Sequence, residues 1–134
     1  MRFTSLPRAR VAVMTLAAAL LSSCGGGPTG PPPAAADFIV DVAGERFVLR
    51  LTDPDAIRLA LRNQRGETTA FPFGTVRAGD GGFNQPWSWH LDPADATFVD
   101  LAMEVCDGRP SYLEEHLDEY PVYCPWGGRV VGQR

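Results

Sequence analysis

The stretch Phe83-Asn84-Gln85-Pro86-Trp87-Ser88-Trp89-His90-Leu91-Asp92-Pro93 gathers two of the three tryptophans and one of the two histidines into eleven residues. Within it, Ser88, His90 and Asp92 are the residue types of a nucleophile, its base and an orienting acid. On an extended segment the three share a face, but side chains two apart stand about 7 Å from each other, too far for direct hydrogen bonds. His90 is then the best single titratable candidate, with Asp92 or Asp107 as its partner, and no catalytic set is complete. An enzyme acting through His90 is therefore the weaker alternative. The same stretch supports a second chemistry, because indole combines a large apolar area with one donor. Trp87, Trp89 and Trp126, with Asn84, His90 and Asp107 close by, suit a ligand-binding groove. Core packing competes for the same rings, since a domain this small needs internal staples.

Metal or cofactor chemistry is not expected. His90 and His116 supply two nitrogen ligands at most, where zinc takes four ligands, and no stretch has the spacing of a calcium loop. Asn84, Asp92 and Asp107 suit turns and caps instead. Asp107-Gly108-Arg109-Pro110 offers a third chemistry, a loop presenting Arg109 to a trypsin-like serine protease. Proline after Arg109 makes a poor scissile bond, which suits an inhibitor as much as it suits a simple turn.

These residues need elements to position them. Phe38-Ile39-Val40-Asp41-Val42 and Arg46-Phe47-Val48-Leu49-Arg50-Leu51 flank Ala43-Gly44-Glu45 as a hairpin. Phe47, Leu49 and Leu51 alternate with Arg46, Val48 and Arg50, which predicts one buried and one wet face. Asp53 caps a helix with Pro54 in its first turn and Gly66 at its end; Ile57, Ala60, Leu61 and Gln64 form its inner stripe, and Arg58, Arg62 and Arg65 a solvated face, with an anion-contacting stripe as the alternative. A strand is predicted over residues 70–76 and a flexible turn over 78–82, followed by a helical turn over 92–95. The clearest strand pattern runs from Val99 through Leu101 and Met103 to Val105, alternating with Asp100, Ala102 and Glu104. Ser111-Tyr112-Leu113-Glu114 reads as a capping box opening an acidic helix to Tyr120, which Pro121 stops. Arg129-Val130-Val131 is a short edge strand. The sum is one α+β domain over residues 37–134, an antiparallel sheet with two helices.

The amino-terminal third reads differently. Arg2, Arg8 and Arg10 precede an apolar run over residues 11–21 that is too short to span a bilayer and has the form of an export signal. Leu21-Ser22-Ser23-Cys24 resembles the lipobox of bacterial lipoproteins. That resemblance implies removal of residues 1–23 and acylation of Cys24, each buried methylene adding about 0.8 kcal/mol of membrane affinity. Residues 24–36 then form a Gly/Pro-rich tether. The expected location is extracytoplasmic and lipid-anchored: the outer membrane facing the periplasm in a two-membrane cell, otherwise the outer face of the cell membrane.

Removing three signal arginines takes the formal net charge from −4 to −7, and the chain contains no lysine. An acidic domain lacks the field that draws in polyanions, so nucleic acid is not an expected partner. With Cys24 carrying lipid, Cys106 and Cys124 remain in an oxidising compartment, where pairing is the default. A disulfide closing that loop is worth roughly 3 kcal/mol.

In order along the chain, F-N-x-P-W-S-W-H-L-D-P, E-V-C-D-G-x-P-S and Y-C-P-W resemble the BP-seventy-four-like family. That family is the amino-terminal domain of a cAMP-inducible amoebal protein, and its bacterial members are labelled calmodulin-binding-protein-related. The resemblance covers residues 38–131 and implies a small, exported, disulfide-bearing domain without assigned chemistry. Calmodulin is not an expected partner here: its targets are basic amphipathic helices, and the helix after Ser111 is acidic. The function expected is a membrane-tethered, extracytoplasmic binding module for a protein or small-molecule ligand.

Overall fold

Ala43 and Gly44 both take positive φ, 52° and 90°. Two left-handed residues in succession close a two-residue hairpin whose twist matches that of the strands, and Asp41 Oδ1 accepts the Gly44 N–H at 3.0 Å. The hairpin joins β1 (Ala36–Val42) to β2 (Glu45–Leu51). The computed structural model describes residues 35–134. Residues 1–34, with the export signal, Cys24 and most of the tether, lie outside the described residues.

The pairs Phe38–Leu49 and Val40–Phe47 put four apolar side chains on one face of the hairpin, and all four are buried. α1 (Pro54–Gln64) is capped as its sequence predicts, Asp53 accepting the Ala56 N–H at 2.9 Å. β7 (Arg129–Gln133) pairs antiparallel with β1 on its other side, giving the order β2-β1-β7. β3 (Phe71–Ala78) is the hub of a second antiparallel sheet. It pairs with β4 (Trp89–Leu91) near its end, with β6 (Val122–Tyr123) at its middle and with β5 (Thr97–Val99) at its start. The expected α+β class is therefore built from two sheets. Phe38, Phe47, Leu49, Ala56, Trp89, Phe98, Leu113 and Tyr123 belong to one core that both sheets and both helices share.

Two expectations are corrected. The predicted strand from Val99 to Val105 ends at Val99. Val99 lies opposite Phe71, the first residue of β3, so among the described residues there is no strand beyond it to pair with. Residues 104–106 instead form a 3-10 turn that delivers Cys106 to Cys124. The helix expected to run to Tyr120 is also shorter. α2 spans Pro110–Glu115, His116 leaves helical geometry, and a 3-10 turn covers Leu117–Glu119. Ser111 is no cap, because tertiary partners claim the box residues: Ser111 N and Oγ donate to Glu45 at 2.8 Å each. Glu114 accepts from Ser88 Oγ at 2.6 Å.

Several of these carboxylates are held below their ordinary range. Asp37 is lowered by the forked hydrogen bond from Arg50, at 2.7 Å to each oxygen. Glu45 is lowered by the backbone and hydroxyl donors of Ser111, Asp80 by the Gly82 N–H and Asp92 by the Ala94 N–H and Arg77. A depressed folded-state pKa stabilises the fold above the unfolded-state value and ceases to do so as pH falls through the folded one. Thermal scans against pH should therefore show a plateau from neutrality to about pH 5 and a progressive fall below it. A melting temperature that rose on acidification would contradict these pairings.

Candidate binding surface

Residues 83–89 lie along the open edge of β2. Arg46 and Val48 turn their backbone groups away from β1, and side chains from this segment satisfy them. Asn84 Oδ1 accepts the Val48 N–H at 2.7 Å, while Asn84 Nδ2 donates to the Trp89 carbonyl at 2.7 Å. Trp87 Nε1 donates to the Arg46 carbonyl at 2.8 Å. Val48, expected on the wet face, is consequently buried. Asn84 and Trp89 have no exposed surface. Trp89 packs against Phe47, Tyr123 and Trp87 with centroid separations of 5.4, 5.5 and 6.1 Å. Burial also holds the Tyr123 phenol far above its ordinary pKa, so it serves as a donor, to the Gly108 carbonyl at 2.8 Å.

His90 is half-buried on the opposite side of β4 from Trp89. Its Nδ1 sits 2.7 Å from the Gly79 carbonyl, which assigns the proton to that nitrogen, and the ring meets Phe83 edge-on. Gly81 lies against it so closely that a Cβ would come within 2.8 Å of the ring. His90 thus pins the 79–82 turn. Ser88 is engaged by Glu114, and Asp92 by Ala94 and Arg77. Ser88, His90 and Asp92 therefore each have a separate structural partner, and the arrangement contains no relay. His116 Nδ1 is 2.8 Å from the Tyr112 carbonyl. Among the described residues no three His, Cys, Asp or Glu side chains converge on a common point.

Arg109 is exposed, but its backbone is tied down. Its carbonyl accepts the Leu113 N–H at 3.0 Å as the first bond of α2, and the carbonyls of Asp107 and Gly108 accept the Tyr120 and Tyr123 hydroxyls. A substrate-like inhibitor must offer the carbonyl of its specificity residue to the oxyanion hole; here that oxygen is already taken.

The six candidate groove residues separate into two places. Asn84, Trp87, Trp89 and His90 stay together beside β2 and β4, while Asp107 and Trp126 sit beside the disulfide, Asp107 Oδ1 accepting the Trp126 N–H at 2.9 Å. Cys106 and Cys124 are joined, with Cα atoms 5.0 Å apart. They and Phe71 form a small buried cluster of their own, edged by Phe73, Val99, Ala102 and Val122. Beside this disulfide, large apolar side chains are exposed. Leu101, Met103 and Val105 are 87, 76 and 71 % exposed, and Trp126 is 41 % exposed. A groove of about 360 Å³ runs between Phe71, Leu101, Ala102 and Trp126, with Asp100 and Arg129 also on its walls. Leu101, Met103 and Val105 are the functional candidates that pattern reading places in a strand. A larger hollow of about 440 Å³ lies by Asp37, Arg50, Ile57, Leu61 and Arg134. There Arg50 and Asp37 bind each other, and Arg134 donates to the Phe83 carbonyl at 3.1 Å.

Fold and surface together define a small disulfide-bearing α+β domain with an apolar face. The family model of the BP-seventy-four N-terminal domain matches residues 33–134. The chain belongs to that family. No curated protein and no solved structure matches the chain.

Proposed function

We propose that this chain is a membrane-tethered, extracytoplasmic binding module, and that its contact face is the apolar surface of Leu101, Met103, Val105 and Trp126. The tether rests on the lipobox-like Leu21-Ser22-Ser23-Cys24 and the Gly/Pro-rich segment after it. The observation that carries the contact face is the exposure of three large apolar side chains on one short segment. Clustered apolar exposure of this kind marks an interaction site, whereas scattered apolar residues do not. The segment is also anchored, since Cys106 at its end is fixed to Cys124. His90 as a catalytic base and Arg109 as an inhibitory residue receive less support, because their key polar groups are committed to turns and to α2.

The test is a paired measurement on the intact protein. Leu101→Ser/Met103→Ser should leave the unfolding free energy within about 0.5 kcal/mol of wild type, as exposed positions do. The same variant should lose most of the fluorescence enhancement of anilinonaphthalene sulfonate, a probe of exposed apolar surface. A stability loss of about 2–4 kcal/mol would mean that these side chains are core after all.

A further inference from the structure

We propose that residues 100–105 form a latent strand, which gives up the turn at 104–106 and continues β5 by pairing with an extended polypeptide whose alternate residues are apolar and basic. The inference rests on the apolar face being the contact surface, and it names both the mode of contact and the partner's chemistry. Its first support is the backbone. Among the described residues no backbone carbonyl accepts from the N–H groups of Leu101, Ala102 or Met103. Side chains elsewhere close parts of two other sheet edges. Asn84 and Trp87 occupy the outward groups of β2, and Asn63 Oδ1 accepts the Val130 N–H of β7 at 2.8 Å. The Met103 carbonyl accepts the Cys106 N–H at 3.4 Å, but N–H groups left without backbone partners beside apolar side chains are the template that strand addition uses.

The second support is the side-chain pattern. Val99, Leu101, Met103 and Val105 alternate with Asp100, Ala102 and Glu104. A strand conformation would align the four apolar residues on one face. Val99 is already paired in β5, so the added ladder would begin from an existing strand.

Charge selects the occupant. Antiparallel self-pairing about Ala102 would set Asp100 opposite Glu104, and like charges across a ladder are destabilising. The described domain carries nine arginines against sixteen acids, which adds to the repulsion between copies. A strand with arginine or lysine at the positions facing Asp100 and Glu104 reverses both terms, and its apolar residues meet Leu101, Met103 and Val105.

The experiment titrates the intact protein with an acetylated, amidated heptapeptide alternating arginine and valine. Tryptophan fluorescence gives the affinity, and amide hydrogen exchange gives the protection of Leu101–Met103. Two peptides N-methylated at alternate backbone nitrogens, one set in each, test the ladder, because only one edge of an added strand pairs. Binding should slow exchange at one or more of Leu101, Ala102 and Met103 by at least tenfold. One N-methyl set should weaken affinity at least tenfold and the other by less than twofold. A glutamate-for-arginine peptide should bind at least tenfold more weakly, a preference that Asp100→Asn reduces.

If both N-methyl sets bind like the parent, strand addition is wrong while the apolar face stands. If the dye binds that face and the heptapeptide does not, the basic partner is wrong. If neither binds, both this inference and the contact face fall. Concentration-dependent sedimentation of the protein alone, with protection of Leu101–Met103, would make a second copy the occupant and overturn the choice.

Discussion

Asn84→Ala is expected to lower the unfolding free energy by about 2–5 kcal/mol, read as a shifted midpoint in urea at unchanged slope. The substitution removes a side chain with no exposed surface and two hydrogen bonds of 2.7 Å. It leaves the Val48 N–H and the Trp89 carbonyl without partners at a buried site, and each orphaned group costs about 1–3 kcal/mol. Asn84→Asp separates the two halves of the role. A carboxylate still accepts from Val48, but it cannot donate to Trp89 and brings a charge into the core, so it should be no better than alanine. A loss below about 1 kcal/mol for Asn84→Ala would mean that the β2 edge does not depend on this side chain.

The second large effect concerns the disulfide. Cys106→Ser/Cys124→Ser should cost about 3 kcal/mol, since the bridge spans a sequence separation of 18 and restrains the unfolded chain accordingly. Two further consequences separate this loss from a uniform weakening. The bridge belongs to the small cluster with Phe71, apart from the main core, so near-ultraviolet signals from Trp89 and Tyr123 should persist below the midpoint. The 100–105 segment, by contrast, loses its fixed end, and dye binding at that face should change in the folded variant. An unchanged midpoint in the double variant would contradict the placement of the bridge.

Local chemistry was legible in the sequence where neighbours in the chain decide the outcome. The hairpin at Ala43-Gly44, the Asp53 cap and the Asp92–Asp95 turn all form as expected. Counting cysteines pairs Cys106 with Cys124, and the two are joined. What misled were patterns whose meaning depends on distant partners. Alternation from Val99 to Val105 specifies side chains for a strand, but it cannot say whether a neighbouring strand exists, and β3 begins opposite Val99. Ser111 and Glu114 have cap spacing, yet Glu45 and Ser88 bind them across separations of 66 and 26 residues. The Trp-rich stretch looked like a groove because its roles at the β2 edge, to Val48 and Arg46, lie 36 and 41 residues away. Of the proposed groove residues, Trp126 is the one that lines the apolar groove.

The central claim is that the Asn84–Trp89 stretch is architecture and that contact is made on the Trp126 side. Acrylamide quenching of the intact folded protein, compared across Trp126→Phe and Trp87→Phe, tests it most directly. A freely quenched component should be present in the wild type and disappear in Trp126→Phe, with the residual emission shielded until the protein unfolds. If Trp126→Phe leaves that component in place and Trp87→Phe removes it, the signature stretch is the accessible surface and the claim is wrong.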